Sequence, residues 1–195
     1  MYLHDCAGAE CPYCSHFALV QRTNIPHRLW LDSMGKEVTT YPKRLSVGTT
    51  VIIMIGTMEN RQILCQQRRD NSQWGFPGGS QNIGESITAC AVREVKEETG
   101  LDVELVGVTS IDSDPENYAL CTYLDGVVHY TCVSFLATVP RVQWGNEYLP
   151  DVTPCVESLA LAWHPIHRLP EPFLLNHRWR LEQALAHRGP FLPVR

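Results

Sequence analysis

The stretch from Gly79 to Leu101, GSQNIGESITACAVREVKEETGL, constrains this chain more than any other part of it. Set out as a helix over Ser86–Thr99, with about 100° of rotation per residue, it places Glu94, Glu97 and Glu98 in one narrow sector. Three like charges at that spacing destabilise a bare helix by roughly a few tenths of a kcal/mol per pair. A hard divalent cation removes the repulsion, and Mg²⁺ takes a few carboxylates together with waters and substrate phosphates. The competing reading is a solvated acidic face. Thr88, Ala91, Val92 and Val95 form the stripe expected to hold the helix against a core. Gly100 stands where a helix takes its left-handed stop. Glu85 stands where a carboxylate would meet the positive end of the helix dipole.

The order of the residues discriminates between these readings. The pattern G-x5-E-x7-R-E-U-x-E-E-x-G-U, with U aliphatic, is met at every specified position: Gly79, Glu85, Arg93, Glu94, Val95, Glu97, Glu98, Gly100 and Leu101. It resembles the Nudix box, and Trp74-Gly75-Phe76-Pro77-Gly78-Gly79 is similar to that family's approach to it. The resemblance covers residues 45–187 and implies an α/β fold, a Nudix-type α/β/α sandwich around a central mixed sheet, with a short N-terminal extension before it. It implies that Glu94, Glu97 and Glu98 hold Mg²⁺ or Mn²⁺, with the carbonyl of Gly78 joining them. It also implies that Arg93 and Glu85 orient those carboxylates through hydrogen bonds, the alternative being a plain ion pair. The general base stays open. Glu97 and Glu98 are candidates within the box; outside it, Glu157, six residues before Trp163, is favoured over Glu116 and Glu147.

The activity implied is metal-dependent hydrolysis of a phosphoanhydride in a nucleoside diphosphate linked to another moiety, with an ADP-ribose-like sugar as first expectation. A triphosphate pyrophosphohydrolase of the nucleotide-pool cleaning type is the second, and a nucleotide sensor that does not cleave its ligand is the rival from another class. Pro115 and Tyr118 stand near where ADP-ribose and diadenosine-polyphosphate relatives place a proline and a tyrosine, and the two cues conflict. Trp74, Tyr118 and Arg69 are the expected substrate contacts, with Tyr123 and Trp144 as further aromatics able to stack on a base. By helical phase Cys90 falls on the ligand side, but no histidine has a fixed place beside it to activate a thiol. His129 is read as a core or surface histidine rather than a substrate contact.

The chain has 195 residues, enough for one catalytic domain, taken as 46–195, and an extension over 1–45. A net charge of −5 argues against a broad nucleic-acid surface but allows a nucleotide-sized substrate, because a bound cation reverses the local sign. No apolar run approaches the roughly 18 residues of a membrane span, and the N-terminus lacks a secretory pattern, so a cytoplasmic protein is expected. Cys65, Cys90, Cys121, Cys132 and Cys155 fall inside apolar or helical segments and read as small buried hydrophobes. Cys6, Cys11, Cys14 and His16, with His4 nearby, can supply the ligands of a structural zinc, but the second pair of a zinc ribbon does not follow. An irregular arm is the competing expectation. Many members of the resembled family are dimers, which implies a homodimer.

Strands are expected at Thr50–Gly56, Arg61–Arg68, Val103–Ile111, Tyr118–Leu124, Val127–Val139 and Ser158–Trp163. Asp125-Gly126 is read as a hairpin turn, Asp32–Gly35 as another, and Glu171–His187 as a closing helix ended by Gly189-Pro190.

Overall fold

The computed structural model describes residues 30–57, 59–140 and 149–187. The proposed zinc ligands, Trp144, Glu147 and Gly189-Pro190 lie outside them. In chain order the elements are β1 (Arg44–Ile55), β2 (Gln62–Arg68), β3 (Trp74–Gly75), α1 (Ile87–Thr99), β4 (Glu104–Asp112), a 3₁₀ turn (Pro115–Asn117), β5 (Leu120–Tyr123), β6 (Gly126–Thr138), β7 (Ser158–Pro165) and α2 (Leu175–Ala186).

The apolar run of β1 makes it the strand that both faces of the sheet share. Val51, Ile53 and Ile55 point to one side and pack with Leu64, Ala91, Val95, Leu101 and Phe135 beneath α1. Ile52 and Met54 point to the other and pack with Ile63, Phe76, Phe173 and Leu181 beneath α2. A strand covered on both faces needs no polar alternation. The outcome is the expected three-layer α/β/α arrangement. β1 runs parallel to β6 from Arg44↔Val128 to Ile53↔Ala137, whereas β6 pairs antiparallel with β4 and β5. On the other edge, β2 meets β1 at Met54↔Ile63 and then runs antiparallel to β7 over its length. The sheet is therefore mixed. Filling the fully buried Phe135 site with alanine is expected to cost about 3–5 kcal/mol in a denaturant titration, with the m-value unchanged.

Several boundaries differ from the sequence expectation. Ser86, not Glu85, caps α1: its side chain accepts from the Ala89 N–H, leaving the Glu85 carboxylate free to meet Arg93. Val92 is exposed rather than part of the packed stripe, because the helix turns Ala91, Val95 and Glu98 inward together. The β5–β6 hairpin forms, but Tyr123 pairs with Gly126, so the two loop residues are Leu124 and Asp125. Gly126 is instead the first residue of β6, with φ +130°. Tyr118 does not start β5; it closes the 3₁₀ turn in a left-handed conformation at φ 62°. The turn at Asp32–Gly35 is present: the Asp32 carboxylate accepts from the N–H groups of Met34 and Lys36. It packs on the body of the domain, with Ser33 N–H donating to the Leu120 carbonyl. Cys65, Cys90 and Cys132 are buried, but Cys121 and Cys155 are only half-buried. Among the described residues no helix is long and apolar enough to cross a membrane.

Candidate active site

The candidate site forms where the N-terminal part of β1, the Pro77–Gly79 segment and α1 meet. Val51 N–H donates to the Pro77 carbonyl and Thr49 N–H to that of Gly79. In an extended segment alternate residues face opposite ways, so Gly78 points its N–H away from β1. Its N–H donates to Glu98 Oε2 at 2.8 Å. Gly79 passes so close to α1 that a Cβ there would lie 2.5 Å from the Glu94 carboxyl group. These approaches explain the glycine pair ahead of the helix.

Arg93 organises the acids. Its Nε and Nη2 hold Glu85 at 2.7 and 2.9 Å, a bidentate pair, while Nη1 bridges Glu94 at 2.8 Å and Glu97 at 3.1 Å. The hydrogen bonds from Arg93, with a further one from the Asn82 backbone, lower the Glu85 carboxyl to about 2. Glu94 and Glu98 move the other way. Burial raises both, Glu98 to about 7 despite the Gly78 N–H and a hydrogen bond from Gln66. A buried carboxyl that strains against ionisation is one that a cation would stabilise. The donor set is oxygen only, which suits Mg²⁺ or Mn²⁺. Among the described residues no three acids are already drawn round a common point; Arg93 and the Gly78 N–H hold the carboxylates along the helix instead.

These acids border a cavity of about 530 Å³, within the size range of small-ligand sites. Glu94, Glu97, Glu98 and Gly78 line it on the α1 side, and Glu157 joins them from the turn before β7. The rest of its lining includes the polar side chains of Arg68, Tyr123, Tyr130, Asn176, His177 and Arg180. The three expected substrate contacts are not on it. Trp74 packs edge-on against His164, Tyr118 closes its turn, and the Arg69 guanidinium binds the carbonyls of Val156 and Ser158. Arg68, one residue earlier in β2, faces the cavity instead, because neighbouring strand residues point to opposite faces. His129 binds the Ser113 carbonyl. Burial pushes the Cys90 thiol up to about 12, which suits a packed thiol and not a nucleophile.

Sequence reasoning misses the α2 side of the cavity. Arg180 is 3% exposed, donates to Thr50 Oγ1 at 3.1 Å and lies 3.8 Å from Asp112. No local pattern pairs residues so far apart in the chain. His177 is half-buried, stacks on Phe76 and accepts the Phe76 N–H at Nδ1, 2.8 Å away. Burial, reinforced by the charges of Arg180 and Arg68, lowers its pKa well below the usual value. The unfolded chain therefore binds a proton near pH 6.5 that the folded protein refuses. The stability contributed by neutral His177 is complete above about pH 6.5 and is lost below it, by at most about 1.4 kcal/mol per pH unit. Glu98, raised by burial, acts with the opposite sign and loses stability as pH rises from its ordinary range toward 7. Comparing the protein with His177→Gln, which keeps an acceptor for Phe76, isolates the histidine. Melting temperatures between pH 7.5 and 5.5 should fall less in the variant, and parallel curves would exclude the effect.

Known proteins resemble the chain at both levels. The family model for the NUDIX domain matches residues 47–186. The mRNA-decapping enzyme subunit 2 of Arabidopsis thaliana is 40% identical over 111 residues, which are 52% of this chain and 29% of that protein. A putative 8-oxo-dGTP diphosphatase of Bacillus subtilis is 38% identical over 69 residues, covering 35% of this chain and 44% of its own length. The chain thus spans less than half the length of these relatives. An ADP-ribose pyrophosphatase of Streptococcus suis superposes with a TM-score of 0.51 at 25% identity, over 72% of this chain and 89% of that one. With the family model matched across β1 to α2 and the box complete, the chain belongs to the Nudix family.

Proposed function

We propose that the protein is a pyrophosphohydrolase that cleaves a nucleoside diphosphate linked to another moiety. The observation that carries this reading is that Glu94, Glu97, Glu98 and Glu157 all border one nucleotide-sized cavity that Arg68 and Arg180 also line. Glu94, Glu97 and Glu98 would hold Mg²⁺ or Mn²⁺, and a cation bound there screens the phosphate charge and acidifies a water. Arg93 keeps Glu94 and Glu97 facing the cavity and prevents their mutual repulsion from splaying them. Arg68, tied to Asp70 at 2.8 Å, offers positive charge to the diphosphate. Glu157 is exposed on its turn and would take the proton of the attacking water. Tyr123 and Tyr130, with hydroxyls 3.3 Å apart, give aromatic surface for a base or sugar.

An ADP-sugar is the favoured substrate, supported by the likeness to the ADP-ribose pyrophosphatase. Likeness to the 8-oxo-dGTP diphosphatase favours a triphosphate instead. A product assay with Mg²⁺ or Mn²⁺ against ADP-ribose, other nucleotide sugars, diadenosine polyphosphates, a cap analogue, and normal and oxidised dNTPs separates the two. Selective release of AMP and ribose 5-phosphate from ADP-ribose is the expected result. Pyrophosphate release from a dNTP would move the assignment to the nucleotide-cleaning branch, and folded protein inactive on every member would leave the non-catalytic sensor.

A further inference from the structure

Glu157 sits on the turn that leads into β7, and one residue outside the cavity binds three successive carbonyls there, those of Val156, Glu157 and Ser158. Arg69 donates its backbone N–H to the carbonyl of Glu157 at 2.8 Å. Its guanidinium takes the neighbours on either side: Nε donates to Val156 at 2.7 Å and Nη2 to Ser158 at 3.0 Å. The turn closes on itself through Ser158 N–H to the Cys155 carbonyl, with Glu157 N–H on Cys155 Sγ. Behind it, fully buried Gln66 donates to Ser158 Oγ at 2.9 Å and also meets Glu98. The β2–β7 register slips between Gln67 and Arg68, beside this turn. Such a slip twists the strand and re-aims the residues next to it.

An arginine on the surface usually finds carboxylate or water. Spending its fork on two backbone carbonyls of one turn fixes the backbone there and little else, since each bond is worth only about 1 kcal/mol to the fold. We infer that Arg69 is a positioning residue for Glu157: it clamps the Val156–Ser158 backbone so that the Glu157 carboxylate is presented to the acids of α1, while Gln66 ties the same turn to Glu98. This rests on the hydrolase reading above and assigns Arg69 away from substrate contact.

The test is a double-mutant cycle of Arg69→Met and Glu157→Gln, assayed on the best substrate of the panel, with Arg69→Lys as the conservative variant. Arg69→Met alone should lower kcat about ten- to a hundred-fold, the usual cost of losing a residue that orients an active-site group. KM should stay within about two-fold, because the loss is of chemistry and not of binding. In the Glu157→Gln background the same substitution should change kcat less than about two-fold. Lysine, able to reach one carbonyl but not both, should recover part of the rate. In metal-free protein, amide hydrogen exchange at Val156–Ser158 should quicken in Arg69→Met, with the melting temperature lowered by no more than roughly 4–8 °C. Equal losses in both backgrounds, a rise in KM alone, or full activity in Glu157→Gln would overturn the assignment. Should the unaltered protein prove inactive on every substrate, the hydrolase reading falls by itself; unchanged exchange at the turn would then dispose of the clamp.

Discussion

Glu98→Gln is expected to leave the protein folded and to lower turnover about a hundred- to ten-thousand-fold with saturating Mg²⁺. The two halves of that expectation have separate physical origins. Glu98 is 5% exposed and held by the Gly78 N–H at one oxygen. A glutamine carbonyl accepts that bond equally well, and the neutral amide escapes the burial that raises the carboxyl to about 7. The metal-free variant should therefore melt no lower than the parent protein at pH 8, where the buried carboxylate is ionised. Function responds oppositely, because the anionic charge that faces the cavity is gone while the volume is conserved. Steady-state rates with Mg²⁺ and with Mn²⁺, beside melting curves with and without metal, decide it. Turnover within about two-fold of the parent would remove Glu98 from the machinery. A fall in melting temperature matching the loss of rate would make its role one of packing.

How far the sequence reaches is visible in the same helix. Glu94, Glu97 and Glu98 share a face because helical phase is a local property, and the sequence states it directly. The apolar run of β1 likewise announces a strand covered on both sides. What phase cannot state is which neighbour a face meets. Val92 looks as apolar as Val95, but Glu98 is drawn inward by the Gly78 N–H and Val92 rotates outward with it. Arg68 and Arg69 are adjacent and alike in charge; only the pairing of β2 with β7 sends one to the cavity and the other to the turn of Glu157. Arg180 meets Thr50 across the whole domain, a pairing that belongs to the packed sheet and to no stretch of chain. The acids at 94, 97 and 98 were legible because they lie within one helix, and the rest of the cavity was not because four elements, β2, β5, β6 and α2, assemble it.

The second large effect concerns the Pro77–Gly79 backbone that runs between β1 and α1. At Gly78 φ is +149°, and an added Cβ would lie 2.2 Å from the Thr49 carbonyl oxygen and 3.0 Å from Thr50 Cα. Both neighbours are main chain of the central strand, so neither can yield without disturbing β1. Gly78→Ala should cost about 3 kcal/mol or more, combining backbone strain with overpacking. For a domain of this size that is a fall in melting temperature of roughly 6–12 °C. Gly79 provides the contrast. Its added Cβ would meet the Glu94 carboxyl group at 2.5 Å, the end of a side chain that can swing aside. Gly79→Ala should thus displace a candidate metal ligand and reduce activity with a smaller loss of stability. Gly84, at φ +85° with nothing within 4 Å, controls for conformation alone and should lose about 1 kcal/mol as alanine. The order Gly78, Gly79, Gly84 in lost stability, read by thermal denaturation, separates steric contact with the strand from mere left-handedness. Equal losses at Gly78 and Gly84 would mean that the strand gives way, and that the close approach of Pro77–Gly79 to β1 is not what fixes Glu98 at the cavity.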